Sequence, residues 1–166
     1  MKKIILTSLL VLTSIGFAAA PKVKGEISVG GGYIGSNGYY GGTITPSANL
    51  GLQYNTRIDD KWDVDYGPGV NAAMDIYLGR LTTMIEPNIM GTFRVDSNYR
   101  FEGNKKVYFG AEAGLGVGIL VHNNGVNPQF RGLFKVHSGL KVNNFNVGAF
   151  VGTGKGIAGI EVGQTF

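Results

Sequence analysis

The sequence predicts an all-β protein, an eight-stranded antiparallel up-and-down transmembrane β-barrel behind a cleaved signal peptide. Three observations predict it. After residue 20 the chain falls into segments that alternate apolar and polar residues with period two. The charged residues in those segments share one parity and the large apolar residues the other. No later apolar run is long enough for a membrane helix, so a chain that enters a bilayer must do so as strands.

Residues 1–20 read as a secretory signal: Lys2 and Lys3, an apolar run from Ile4, then the small residues Gly16, Ala18, Ala19 and Ala20. Cleavage is expected near 18–20, with Ala18 favoured because Pro21 would sit at the bond after Ala20. Residues 21–166 then form one barrel domain. The chain has no cysteine, so neither a lipid-attachment thiol nor a disulfide is available. Loss of Lys2 and Lys3 leaves 13 basic against 11 acidic residues, a net charge of +2, so the charge of the full sequence overstates the case for an anionic partner, and no nucleic-acid partner is expected.

The first strand is expected at about 22–35, with Val23, Ile27, Val29 and Tyr33 against Lys24, Glu26, Ser28 and Gly30. A turn-rich stretch, 36–42, leads to the second at about 43–57, where Ile44, Pro46, Ala48, Leu50, Leu52 and Tyr54 oppose Thr43, Thr45, Ser47, Asn49 and Gln53. The third, about 62–77, sets Trp62, Val64, Tyr66, Val70, Ala72, Met74 and Ile76 against Asp63, Asp65, Asn71 and Asp75. The fourth, about 81–101, sets Leu81, Ile85, Ile89, Phe93, Val95, Tyr99 and Phe101 against Glu86, Asn88, Thr92 and Arg94. The fifth, about 106–121, is Val107 to Ile119 outward, with Tyr108, Glu112 and several glycines inward. The sixth, about 129–143, places Phe130, Phe134, Val136 and Leu140 opposite Arg131, Lys135, His137 and Lys141. The seventh spans about 145–153, and the eighth closes the chain. Short turns at Asp59-Asp60-Lys61, Leu78-Gly79-Arg80, Gly103-Asn104-Lys105 and His122-Asn123-Asn124-Gly125 suit hairpin connections.

Thirteen charged residues fall on the inward parity: Lys24, Glu26, Arg57, Asp63, Asp65, Asp75, Glu86, Arg94, Glu112, Arg131, Lys135, Lys141 and Glu161. A charge facing lipid near the midplane would cost about 2–4 kcal/mol, so an outer face free of them is what a membrane barrel requires. Ten of them (Lys24, Glu26, Arg57, Asp63, Asp65, Arg94, Glu112, Lys135, Lys141 and Glu161) are expected to pair as a lumen network, because unpaired buried ions are costly. Aromatic residues gather at both strand ends, as interfacial girdles do. Pro68 and Pro87 fall in mid-strand; Gly67 and Gly69 suggest a bulge at the first.

The closing segment, Gly156 to Phe166, alternates Ala158, Ile160 and Val162 with Gly159, Glu161 and Gly163 and ends on Phe166. It resembles the last strand of bacterial outer-membrane barrels, although Gln164 stands where that family usually carries a hydrophobic residue. By pattern the whole mature chain is similar to the small OmpA-like and OmpX-like eight-stranded barrels. The resemblance implies residence in the outer membrane among its lipids. It also implies that the barrel assembly machinery reads Phe166 as a sorting signal.

No chemistry stands out. Gly30-Gly31-Gly32-Tyr33-Ile34-Gly35 matches a dinucleotide fingerprint in letters, but no helix follows to hold a pyrophosphate. Gly152 to Gly156 lacks the spacing of a phosphate loop and reads as a turn. His137 and Ser138 invite comparison with lipid A deacylases, whose histidine and serine stand two apart in one strand. Here they are adjacent, so alternation sends them to opposite faces. No metal-ligand spacing, cofactor or catalytic constellation is expected. The glycine-rich outer half of the interior suggests a pocket near Asn71, Asp75, Glu86 and Arg131. The alternative, which is favoured, is that Tyr77, Leu120, Leu133 and Phe150 fill that space. The sequence therefore points to a non-enzymatic outer-membrane barrel with a plugged polar lumen and a structural or surface-interaction role, with any extracellular ligand meeting the loops at 36–42, 78–81, 122–128 and 153–156. A small ion or solute pore is the alternative, and a lipid-modifying enzyme a third.

Overall fold

The structure, a computed structural model, describes residues 20–36, 39–79, 83–122 and 125–166; the expected signal peptide lies outside the described residues. Eight strands follow in chain order: β1 (Lys22–Ser36), β2 (Tyr39–Arg57), β3 (Trp62–Gly79), β4 (Thr83–Glu102), β5 (Lys105–His122), β6 (Gly125–Val142), β7 (Phe145–Thr153) and β8 (Ala158–Thr165). Each is antiparallel to the next, and β8 pairs with β1 from Lys24↔Thr165 to Gly31↔Ala158, which closes the barrel. The expected eight-stranded antiparallel up-and-down barrel is the architecture observed.

Closure makes the two parities into an inside and an outside. Outward residues such as Leu115 (64% exposed) and Phe130 (75%) leave an apolar exterior, while Lys135 and Glu161 on the other parity are wholly buried. At the end where β1 begins and β8 finishes, the terminal end, Trp62 packs against Tyr99 with ring centroids 5.0 Å apart, and Tyr54 stacks on Tyr66 at 5.8 Å. The turn there is set by Asp59, whose carboxylate accepts the backbone N–H groups of Lys61 and Trp62, both at 2.7 Å. Those two donors hold its carboxyl below the usual aspartate range.

The prolines are accommodated differently from the expectation. No residue is inserted at Pro68: the β2–β3 register is the same at Gly51↔Gly69 and at Tyr54↔Tyr66. Instead the ladder opens over Leu52 and Gln53 and closes again, while Pro68 keeps its partner Phe93 on β4. Pro87 behaves alike, paired with Met74 on β3, while the β4–β5 ladder skips from Ile85 to Asn88. A proline has no N–H to give to one neighbour, so two ladder positions are lost on that side without disturbing register. The observed register shift lies at Arg100/Glu102.

The expected loops are shorter than their turn residues suggest. Strand pairing continues through Ser36↔Tyr39 and Ile119↔Pro128, so most of 36–42 and 122–128 is ladder, and β3 runs to Gly79. Glycine and asparagine permit a turn without imposing one, and a partner strand that satisfies their backbone groups keeps them extended. The opposite holds for β7 and β8, which are nine and eight residues long against 15 to 20 in the others. Their connection turns through Gly154 and Gly156 at φ of 85° and 87°, and this carries Lys155 into the interior.

Elsewhere in the distal half, Leu133 and Phe150 are buried and Tyr77 and Leu120 half-buried, in keeping with a filled interior. A Cβ on Gly116 would collide with the Ile89 carbonyl oxygen and lie 2.6 Å from Met90 Cα. Gly116→Leu is therefore expected to destabilise the barrel by about 1–3 kcal/mol or more. The urea midpoint of the refolded variant checks this, and an unchanged midpoint would show spare room there.

Candidate functional site

Alternation brings side chains from six strands and one turn to a common centre. Arg94 on β4 donates from Nη1 to Glu26 on β1 at 2.5 Å, from Nη2 to Glu161 on β8 at 3.0 Å, and from Nε to Asp96 at 2.8 Å. Lys135 on β6 reaches Glu26 at 3.3 Å and Glu112 on β5 at 3.1 Å, and also pairs with Glu161. These contacts cross the bore, joining β4 and β6 to β1 and β8. Lys155 approaches Glu112 at 3.5 Å, and the Tyr108 hydroxyl donates to Glu161 at 3.1 Å.

Toward the terminal end, Lys141 bridges Asp65 at 2.8 Å and Asp96 at 2.9 Å. His137 Nε2 lies 2.7 Å from Asp96, and Lys24 lies 3.3 Å from Glu26 and 3.7 Å from Asp96. Lys24, Arg94, Lys135, Lys141 and Lys155 thus face Glu26, Asp65, Asp96, Glu112 and Glu161: five formal charges of each sign. The formal charges of the centre therefore balance. Lys135 and Lys141 also lie over the rings of Phe150 and Tyr108, at 5.0 and 4.9 Å.

Nine of the ten expected network residues line this interior. Asp63 lies at its terminal edge, accepting from Lys106 at 2.6 Å and Asn98 at 2.7 Å. Arg57 does not join. It lies at the rim, 59% exposed, and pairs with Asp60 at 2.6 Å, because its position at the last residue of β2 places it beyond the enclosed bore. In the distal half Arg131 pairs with Asp75 and lies 3.4 Å from Glu86, whose other oxygen accepts from Tyr77 at 2.8 Å. Asn71 stands apart from these three: its amide donates to the backbone carbonyl of Ala48 at 3.1 Å.

Sequence reading left out Asp96, Lys106 and Lys155. Asp96 follows Arg94 by one step of the same parity, so the alternation already contained it. Lys106, the second residue of β5, lies on the inward parity and was within reach of the same rule. Lys155 had no such signal, because strand parity does not extend into a turn. His137 and Ser138 do face opposite ways: the imidazole is buried, whereas the serine is exposed and donates to the Tyr108 carbonyl at 2.9 Å. Among the described residues no group of three or more His, Asp or Glu is arranged to hold a metal ion.

Removing one partner of a buried pair leaves the other uncompensated. Lys135→Met is therefore expected to cost about 3–5 kcal/mol, and adding Glu161→Gln to it should cost less than the two single changes together. Equilibrium unfolding of the three variants measures this coupling. Strict additivity would mean that Lys135 and Glu161 do not act as a pair.

The barrel is similar in structure to the N-terminal β-barrel domain of Pseudomonas aeruginosa OprF, at 16% identity and a TM-score of 0.41, covering 87% of this chain and 97% of that domain. No protein-family model and no curated protein matches the sequence.

Proposed function

We propose that the chain is an integral outer-membrane barrel with a plugged polar lumen and a structural or surface-interaction role. The observation that carries this reading is the inversion of polarity: ions paired across the bore inside, large apolar side chains outside. A water-soluble barrel of this size would present the reverse, since an exposed apolar surface so extensive has no place in a soluble monomer. On this reading the mouth at the chain termini faces the periplasm, and Phe166 belongs to the signal used in assembly. The paired Arg94 and Lys135 clusters obstruct the bore, because parting them would leave buried charges without partners.

Leu115→Lys distinguishes the membrane from water. In lipid it should cost about 2–4 kcal/mol, read as a lowered unfolding midpoint in vesicles; a variant as stable as the parent would defeat the membrane reading. The plug is tested by planar-bilayer conductance with mature protein shown to be folded by its heat-modifiable migration. The expected result is no discrete current. Reproducible steps would replace the plug with a small pore.

A further inference from the structure

The neutral centre gives way to a different balance at the terminal mouth. There a cavity of about 320 Å³ opens between the ends of the strands. Its walls carry five cations, Lys22, Arg57, Arg100, Lys106 and Lys141, against two carboxylates, Asp63 and Asp65. The carboxylates are already engaged. Asp63 accepts from Lys106 and Asn98, and Asp65 from Lys141, Asn55 and Asn98. Arg57 is matched by Asp60 outside the cavity. That leaves two cations in surplus. Arg100 is 40% exposed and its guanidinium comes no closer than 3.9 Å to Asp63, while Lys22 has no ion-pair partner among the described residues. Asparagines of the β6–β7 turn and Asn146 on β7 add uncharged amides to the wall.

We propose that this vestibule is a binding site for a small, multiply charged anion carrying phosphate or carboxylate groups. Its volume lies at the lower end of the range for small-molecule sites, enough for a compact ligand and too small for a folded domain. Arg100 supplies a planar fork suited to two oxygens of one anionic group, and Lys22 a mobile point charge on the facing wall. Beside Arg100, whose register partner on β5 is Lys106, the Lys141–Asp65 and Lys106–Asp63 pairs line the same cavity. The site rests on the membrane reading only for the compartment that its mouth faces; its chemistry can be tested in detergent.

The experiment is calorimetric titration of the full mature chain, refolded in detergent and folded by heat-modifiable migration, with pyrophosphate and separately with citrate at low ionic strength. Saturable binding of either is expected, and it should weaken as salt is raised. Pyrophosphate alone would assign the site to phosphate ligands, citrate alone to carboxylates, and both to the chemistry they share. Arg100→Gln should weaken binding about ten-fold, and Lys22→Gln, an exposed change that leaves the fold untouched, should weaken it in the same direction. Lys61→Gln, at the same end but outside the cavity, should leave it unchanged. No saturable heat with either anion overturns the proposal, as does binding that both vestibule variants leave intact. Failure of the barrel itself would appear earlier, as loss of heat-modifiable migration.

Discussion

Everything in this molecule depends on the ladder that joins β8 to β1. An open eight-stranded sheet of this composition would have two unpaired edges and no distinction between its faces beyond parity. Pairing Lys24 with Thr165 and continuing to Gly31 and Ala158 removes the edges and encloses one face. Once enclosed, every inward side chain competes for a bore only wide enough at eight strands to be filled by side chains. The glycines on that face, the buried carboxylates and the ammonium groups that neutralise them are consequences of that enclosure.

The same constraint explains how the barrel tolerates proline. A closed ladder offers no free edge, yet Pro68 and Pro87 stand well inside β3 and β4. Each keeps full pairing with one neighbour and forfeits two positions with the other, and the register resumes unchanged. Register is held by the long flanking stretches, in which a one-residue slip would turn every buried ion outward. At Pro68 the opening lies beside glycines 51, 67 and 69, and a cavity of about 30 Å³ remains behind it, bordered by Lys24, Glu26, Arg94 and Asp96.

The charge distribution divides the bore by depth. At the centre equal numbers of opposite charges meet across the full width, which is how ions can be buried without a net field. At the terminal mouth the match fails by the two cations Lys22 and Arg100, and there a cavity of about 320 Å³ opens. The distal half follows neither pattern: Leu133, Phe150 and Met90 occupy it, with the Arg131–Asp75 pair near the far rim. The proposed plug and the proposed vestibule are therefore compatible in one barrel.

Parity by itself determined the fold class, the number of strands, and the inward placement of Glu26, Arg94, Glu112, Lys135 and Glu161, because a period of two is a property of extended chain wherever it lies. It contained Asp96 too, though the sequence reading passed over it. What parity could not decide was where each ladder ends. Ser36 to Gly42 and residues 122–128 carry turn chemistry, yet the facing strand keeps most of them extended, since a backbone group takes whichever partner the closed sheet offers. Nor could it decide which charge meets which across the bore. Arg94 lies 67 residues from Glu161 in sequence, and Lys155 reaches Glu112 from a turn in which alternation has lapsed. Those contacts exist because eight strands close at one diameter, and only the tertiary structure supplies that diameter.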